Sequence, residues 1–192
     1  MRAAVDEFAA HGFHDASLNR VIEAAGISKG SLYYYFDGKD DLYVHTVRTE
    51  LEQLFARLDP LPLPTEGDPD AFWSTLEHYY LLVMSALVDS PQLAALIRGW
   101  IAASATPALR QAQQEVEQLL EPWLQQALVT GQRMGAIRTD LPPSLLIAVV
   151  SGMGQAMDIW LLVSEPDRSD LPRLIGTLIE MIRGAVRPVP AT

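Results

Sequence analysis

The sequence predicts an all-α protein of about nine helices. Three observations lead to this fold class. Apolar residues recur at helical spacing along most of the chain, and no stretch alternates convincingly with the period of two that is typical of strands. Prolines and glycines cluster in short segments between the periodic stretches. With 49% hydrophobic residues, the 192-residue chain can fill a substantial core.

The breaks between periodic stretches set the order of the elements. Residues 59–69 contain four prolines, so we expect a linker that interrupts the helical pattern there. The domain boundary is predicted earlier, with a three-helix domain at 1–48 and a larger helical domain at 49–192. The long helix from Asp37 to Leu58 is expected to join the two. The helices are predicted at 2–11, on both sides of Gly26 within 17–36, at 37–58, and then at 69–88, 91–103, 107–130, 143–163 and 170–187.

Residues 17–36 carry the densest structural signals. Ser17 and Ser28 occupy N-cap positions, where a side-chain oxygen can accept from an amide of the first turn. Gly26 can adopt the positive φ that ends a helix, and Ile27 is expected to fill the corner that follows. This spacing predicts a helix-turn-helix, a motif whose second helix enters the major groove of DNA.

The outward residues of this motif suit contacts with a duplex. Hydroxyls can bond phosphates or bases, cations can neutralise phosphate, and Gly30 allows the backbone to approach closely. For Tyr34 an alternative is that its ring covers the core of the small domain. Lys39 begins the next helix, where amides can also meet a phosphate. The predicted DNA-binding residues are Ser17, Arg20, Ser28, Lys29, Gly30, Ser31, Tyr33, Tyr34, Tyr35 and Lys39.

The run AAGISKGSLYYYF at Ala24–Phe36, followed by Gly38–Leu42, resembles the N-terminal signature of the tetracycline-repressor (TetR) family of bacterial regulators. Phe8–Phe13 is similar to the end of that family's first helix and its glycine turn. The likeness in motif covers about residues 1–48 and continues beyond them only in helix count and order. It implies a homodimer that binds an operator and responds to a small molecule. Two departures are a first helix that lacks its opening turn, and Tyr35 where relatives often carry histidine.

The charge balance is the main argument against a DNA-binding role. The chain carries a net charge of −10, whereas phosphate neutralisation supplies much of the affinity of DNA-binding proteins. Residues 17–39 are less acidic, since they contain three cationic side chains and only two carboxylates. The alternative is an all-α dimeric small-molecule-binding or scaffolding protein. Its domain at 1–48, which we call the head, would then no longer read DNA.

Other function classes find little support. The chain has no cysteine, and its first residues lack the basic start and apolar stretch of a secretory leader, so we expect a cytoplasmic protein. No catalytic set and no metal or cofactor site can be assembled from the scattered histidines, which are His11, His14, His45 and His78.

Residues 145–163 are apolar on all sides and are expected to be buried on every face rather than to span a membrane, because Asp158, Gln155 and two glycines interrupt them. Small residues there allow close approach of a second helix. Pairing with the last helix and with a second copy would form a four-helix dimer interface. The predicted interface residues are Ser151, Gly152, Gly154, Leu171, Leu174, Ile175, Leu178, Ile179 and Ile182.

A ligand pocket is predicted among aromatic and methionine side chains of the middle helices. Any one of these could instead simply fill the core. Arg98 and Asp158 lie in apolar surroundings, so each needs a partner if it is buried: the other residue, a group at an interface, or a ligand of opposite charge. The predicted ligand-binding residues are Trp73, Tyr79, Tyr80, Met84, Arg98, Trp100, Trp123, Met157, Asp158 and Trp160.

Overall fold

The computed structural model describes residues 1–58, 63–64, 66–102 and 107–189. Every regular element in these ranges is helical, which confirms the all-α class. In chain order the helices are α1 (Arg2–Asp15), α2 (Leu18–Ala25), α3 (Lys29–Tyr35), α4 (Lys39–Arg57), α5 (Pro69–Val88), α6 (Pro91–Ala102), α7 (Pro107–Arg133), α8 (Pro143–Ser164) and α9 (Leu171–Val186), with a short 3-10 helix at Arg168–Asp170 before the last.

Proline and glycine set most of the helix boundaries, as the sequence predicts. Helices α5 to α8 each begin at a proline, whose fixed φ suits the first turn and whose missing amide costs nothing there. Gly12 interrupts α1 with φ 67°, one residue after the predicted end. Helix α7 continues three residues beyond the predicted boundary of 130. Part of the predicted linker, residues 59–62 and 65, lies outside the described residues.

The chain divides into two compact units. The first comprises Met1–Asp59 and Leu87–Val116, so it extends beyond the predicted boundary at residue 48 and includes α6. Its core forms around Tyr43, which is fully buried and whose hydroxyl donates to the Leu96 carbonyl oxygen at 3.0 Å. Trp100 joins this core, with its ring 6.1 Å from that of Tyr43. The sequence alone assigned Trp100 to a ligand pocket, whereas the structure uses it to attach α6 to the N-terminal helices.

The second unit comprises Pro60–Ala86 and Glu117–Thr192. Helix α9 packs its apolar face into this unit and is held to α5 by the ion pair of Arg183 with Asp70. The predicted interface residues on α9 are therefore wrong in part. The helix has one strongly apolar side, and it is covered by the rest of the same chain; the side chains buried in this way are Leu171, Ile175, Ile179 and Ile182.

Helix α8 departs from its predicted burial on every face. Only 22% of the residues in its most apolar window are buried. By length and composition α8 passes the test for a membrane span, as the core helix of a soluble protein also does. Its buried residues, among them Leu146, Met157 and Leu161, face the rest of the second unit, and an apolar surface remains on the other side.

Gly131 offers a test of the packing in the second unit. A methyl group added there would lie 2.6 Å from Ile137 Cδ1 and 2.9 Å from Phe72 Cζ, which is closer than real carbon contacts. We therefore expect Gly131→Ala to lower the free energy of unfolding by about 1–3 kcal/mol through overpacking. Gly184→Ala is the matched control, because the space around Gly184 is open and alanine favours the helix. Urea unfolding of both variants checks this, and equal stabilities would contradict the packing described for Gly131.

Candidate functional site

The bend between α2 and α3 has the geometry that its sequence predicts, with one exception. Gly26 adopts φ 65°, and its amide and that of Ile27 donate to the carbonyl oxygens of Glu23 and Ile22, which closes the end of α2. Ser28 Oγ accepts from the Ser31 amide at 3.0 Å and so caps α3. Ile27 was expected to fill the corner, but it is 43% exposed. The backbone cap of α2 and the side-chain cap of α3, rather than an apolar plug, define the bend.

Helix α3 is anchored by Leu32, which is 2% exposed, and turns its other residues to solvent. Tyr34 is 81% exposed, so the alternative in which its ring covers the core is wrong. The rings of Tyr34 and Tyr35 meet edge to face at 4.9 Å, and Lys29 Nζ lies 5.8 Å from the ring centre of Tyr33. Phenol hydroxyls, an ammonium and a capped helix N-terminus therefore share one exposed surface. We call this surface, formed by Ser28, Lys29, Gly30, Ser31, Tyr33, Tyr34 and Tyr35, the α3 face.

Two of the predicted DNA-binding residues outside α3 are held within the head. Arg20 Nε donates to both carboxylate oxygens of Glu7, at 2.9 and 3.0 Å, and its Nη2 donates to the Asp15 carbonyl oxygen. The side chain of Ser17 makes no cap bond; instead the Ser17 amide donates to Glu7 Oε1 at 2.7 Å. Sequence reasoning missed Glu7, although a carboxylate inside the apolar stripe of α1 is a signal that a partner is needed.

Lys39 also has an internal role. Its ammonium donates to the carbonyl oxygens of His14 at 2.7 Å and Ala16 at 3.2 Å, and it lies 4.9 Å from the ring centre of Phe13. These contacts satisfy carbonyls at the end of α1, which the helix itself leaves without partners. The structure thus gives Lys39 a structural task in place of the predicted phosphate contact.

These pairings change the charge that the head offers to a ligand. Among residues 17–39, all of which are described, Arg20 is neutralised by Glu7 and Lys39 is engaged by carbonyls. Lys29 is the cation of this segment that no carboxylate or carbonyl holds. Lys39 keeps its charge but is held by those carbonyls, so Lys29 on the α3 face is the cation of this segment that is left to meet a phosphate.

The predicted ligand residues are divided between the two units. Arg98 and Trp100 belong to the first unit and the others to the second. Trp123 is 38% exposed and Trp160 48% exposed, so both rings lie at the surface of the chain. Trp73, Met84 and Met157 are buried, and Tyr79, Tyr80 and Asp158 are partly buried.

The structure brings Tyr80 and Asp158 together. The Tyr80 hydroxyl donates to Asp158 Oδ1 at 2.6 Å, which joins α5 to α8. Burial raises the pKa of Asp158, and the bond from Tyr80 opposes that rise. Burial likewise raises the pKa of Tyr80, with help from the neighbouring carboxylate. The sequence leaves the partner of Asp158 open, and the structure supplies the Tyr80 hydroxyl rather than Arg98.

Two grooves lie within the second unit. The larger, about 530 Å³, runs between α7 and α8 and is lined by none of the predicted ligand residues. The smaller, about 210 Å³, lies between α8 and α9 and includes Met157 and Trp160. In the described part of the chain, no group of three or more histidine, aspartate or glutamate side chains could hold a metal ion.

The outer side of α8 forms a continuous apolar stripe. Gly152 and Gly154 have open space where a side chain would stand, so no packing within the chain requires glycine there. Exposed apolar residues follow one another at intervals of three or four along this side; they are Leu145, Val149, Gly152, Ala156, Trp160 and Val163, and we call them the α8 stripe. Met181 of α9, 57% exposed, lies beside the same groove as Trp160.

Comparisons with known proteins agree with this architecture. Residues 1–46 match the family described as bacterial regulatory proteins, tetR family. The chain is 27% identical over 150 residues to the HTH-type transcriptional regulator RutR of Escherichia coli K12, covering 78% of this chain and 68% of RutR.

Solved structures share the fold. The transcriptional regulator FadR of Bacillus subtilis, in complex with stearoyl-CoA, aligns with a TM-score of 0.71 at 20% identity over 97% of both chains. A TetR-family regulator of Mesorhizobium loti aligns with a TM-score of 0.68 at 18% identity, over 96% of this chain and 93% of that one.

The contribution of Glu7 to stability can be tested by measuring urea unfolding at two pH values. The bond from Arg20 holds the pKa of Glu7 below its usual value of 4.5, so the folded head is stabilised by the ionised carboxylate. This stabilisation is fully present above the pKa of the unfolded chain and is lost as pH falls through the lowered pKa of the folded state. Glu7→Gln should lower the urea midpoint at pH 7 and much less at pH 3. Glu23→Gln, at an exposed position on α2, should match the wild type at both pH values.

Proposed function

We propose that the α3 face reads an operator and that a small molecule in the second unit releases it, as in the tetR family of bacterial regulatory proteins, whose model matches residues 1–46. The protein is then a ligand-responsive transcriptional regulator of the repressor type. The family and the relatives are regulators rather than enzymes. We expect it to act in the cytoplasm.

The observation that carries this proposal is the exposure of the α3 face. A capped helix N-terminus with the side chains of Lys29, Ser31 and Tyr33 in solvent offers the donors that bond phosphate oxygens and base edges in the major groove. Gly30 has no contact that would require glycine for folding, apart from Ser28 Oγ at 3.8 Å. Close approach of the backbone to DNA is a reason for a glycine at this place.

A homodimer would supply the affinity that one weakly charged head lacks. The α8 stripe is an exposed apolar surface of the kind that marks protein interfaces, and its glycines would let a second backbone approach. A twofold pair would set two α3 helices roughly 34–36 Å apart, one turn of DNA, on a pseudo-palindromic site.

Release by a ligand follows from linkage. A dimer can exist in one conformation whose head spacing fits the operator and in another whose spacing does not. A small molecule that binds the second conformation more tightly weakens operator binding, by at most the ratio of its affinities for the two conformations. The FadR structure contains stearoyl-CoA in the same fold, which supports a small-molecule site in the second unit of this chain.

A second function is an all-α dimer that binds a small molecule without reading DNA. The net charge of −10 and the internal engagement of Arg20 and Lys39 favour it. A gel-shift assay with the intergenic region upstream of this chain's own gene separates the two functions. A specific shift that disappears with an unrelated duplex supports the regulator, and its absence supports the second function.

The α3 face can be tested by substitution. Lys29→Ala and Tyr33→Ala should each weaken operator binding without changing thermal stability, because neither side chain packs in the core. Lys29→Ala should also make the slope of log affinity against log salt shallower by about 0.9 for each phosphate that the ammonium neutralises. Lys39→Ala is the contrasting variant, since we expect it to lower the melting temperature of the head. Unfolding of the Lys29 or Tyr33 variant would contradict the assignment.

The role of the α8 stripe can be tested by measuring the molecular mass of the protein in solution. Gly152→Glu should produce a monomer and abolish operator binding together, because the charge would be buried between the two copies. The fold of one chain accommodates it, since the space at Gly152 is open. Gly184→Glu, on the exposed polar side of α9, should remain dimeric. Light scattering and gel shift measure both effects, and a Gly152→Glu monomer that binds tightly refutes the interface.

A further inference from the structure

The α8 stripe is arranged symmetrically about its middle. Val149 and Ala156 lie at equal distances from the midpoint of the Gly152–Met153 peptide. Leu145 and Trp160 also lie at equal distances from it, about 11 Å along the helix. If two α8 helices run antiparallel across a twofold axis at this point, each stripe residue of one copy meets its counterpart from the other end of the partner helix.

The sizes of the stripe residues favour the antiparallel direction. The middle is small, because Gly152 has open space where a side chain would stand and Ala156 follows on the same side. Two helices can approach closely there. Trp160 is the largest residue of the stripe and lies toward its C-terminal end, whereas the groove of about 530 Å³ between α7 and α8 lies beside the N-terminal end of α8. An antiparallel pair brings each ring to a groove, whereas a parallel pair would set ring against ring and leave both grooves empty.

The groove between α7 and α8 suits an indole ring chemically. Its lining includes Leu128 and Ile147, whose side chains can cover the carbon atoms of the ring. The indole N–H of Trp160 has no partner among the described residues, and a buried indole N–H usually has one. Glu121 also lines the groove, and its carboxylate, which accepts from Gln125 at 3.0 Å, can accept further bonds. Ring and groove are thus complementary in both apolar surface and hydrogen bonding.

We propose that two copies of this chain pair through antiparallel α8 helices, and that Trp160 of each copy occupies the groove between α7 and α8 of the other. This inference rests on the homodimer of the proposed function and adds the direction, the register and the side chain that fills the groove. In one chain the groove is open, with Val129 62% exposed, so it is complete only when the second copy covers it. By symmetry two rings fill two grooves, which gives a closed interface.

Engineered cysteines test the register, because the chain has none of its own. In the double variant Val149→Cys/Ala156→Cys, thiols of two copies should come within the range of a disulfide, with Cα atoms roughly 4.4–6.8 Å apart. Oxidation by diamide, which takes up the two thiol hydrogens, should give a covalent dimer on a non-reducing gel. Each single variant should run as a monomer, because its two cysteines lie more than about 10 Å apart in this register. A covalent dimer from either single variant, or none from the double variant, overturns the proposal.

A second set of variants tests the groove. Ala148 is exposed and lines the groove, so Ala148→Trp should leave one chain folded and occupy the space that the ring of the second copy needs. This variant and Trp160→Ala should each weaken the dimer by about tenfold or more, as expected for a tryptophan buried in an interface. The double variant should dimerise more tightly than the two separate losses predict, because the new ring replaces the lost one. Ala24→Trp, at an exposed position of the head, is the control and should dimerise like the wild type.

Sedimentation over a dilution series measures the dimerisation of all these variants, and circular dichroism checks that each is folded. Additive losses in the double variant overturn the proposal. A folded Ala148→Trp variant that dimerises like the wild type also overturns it, and the groove is then left to another occupant, such as a small molecule.

These measurements use no DNA, which keeps the inference separate from the proposed function. If the wild type dimerises in another register and still shifts the duplex from its own upstream region, the regulator function stands and this inference falls. If the cross-links and the groove variants behave as expected but no duplex is bound, the inference stands and the regulator function falls. A wild type that remains monomeric refutes both this inference and the proposed homodimer.

Discussion

The first unit depends on the burial of Tyr43. Its ring centre lies 4.7 Å from that of Phe8 and 5.2 Å from that of Phe13, so one side chain of α4 packs against both parts of α1 on either side of the Gly12 break. Its hydroxyl must find an acceptor because it is fully buried, and the Leu96 carbonyl oxygen provides one. A single residue therefore fixes α1, α4 and α6 together, and α2 and α3 are added to this framework.

That framework explains why the cations of the head are not all available to DNA. A short helical domain leaves several carbonyls and amides without partners at its helix ends. Here the amide before α2 is satisfied by Glu7, and carbonyls at the end of α1 by Arg20 and Lys39. Arg20 and Lys39 are engaged in holding the end of α1, and recognition in the proposed regulator is left to hydroxyls and to Lys29. In the proposed homodimer, DNA affinity would therefore depend more on the geometry of the α3 face and on the second head than on the charge of one head.

The sequence predicts the features that are decided locally. Helix order, the positive φ of Gly26, the Ser28 cap and the outward side of α3 each depend on residues within a few positions of one another, and the structure agrees with all four. It does not reveal features that depend on pairs far apart in the chain. Glu7 meets Arg20 across 13 positions, and Tyr80 meets Asp158 across 78, and no periodicity encodes either pair. The predicted ligand residues are likewise divided between the two units and differ in burial, since aromatic content does not reveal which helix a ring will face.

Helix α8 shows why an apolar sequence is a poor guide to burial. Its stripe and its inner side are similar in composition, so hydropathy alone predicts burial all round, or a membrane span. The carboxylate resolves the ambiguity, because Asp158 must lie where a donor can reach it, and Tyr80 of α5 is that donor. This bond orients the helix, places Met157 and Leu161 inward, and leaves Gly152 and Trp160 outward. The one charged residue of a mostly apolar helix thus determines which side packs within the chain and which side stays exposed.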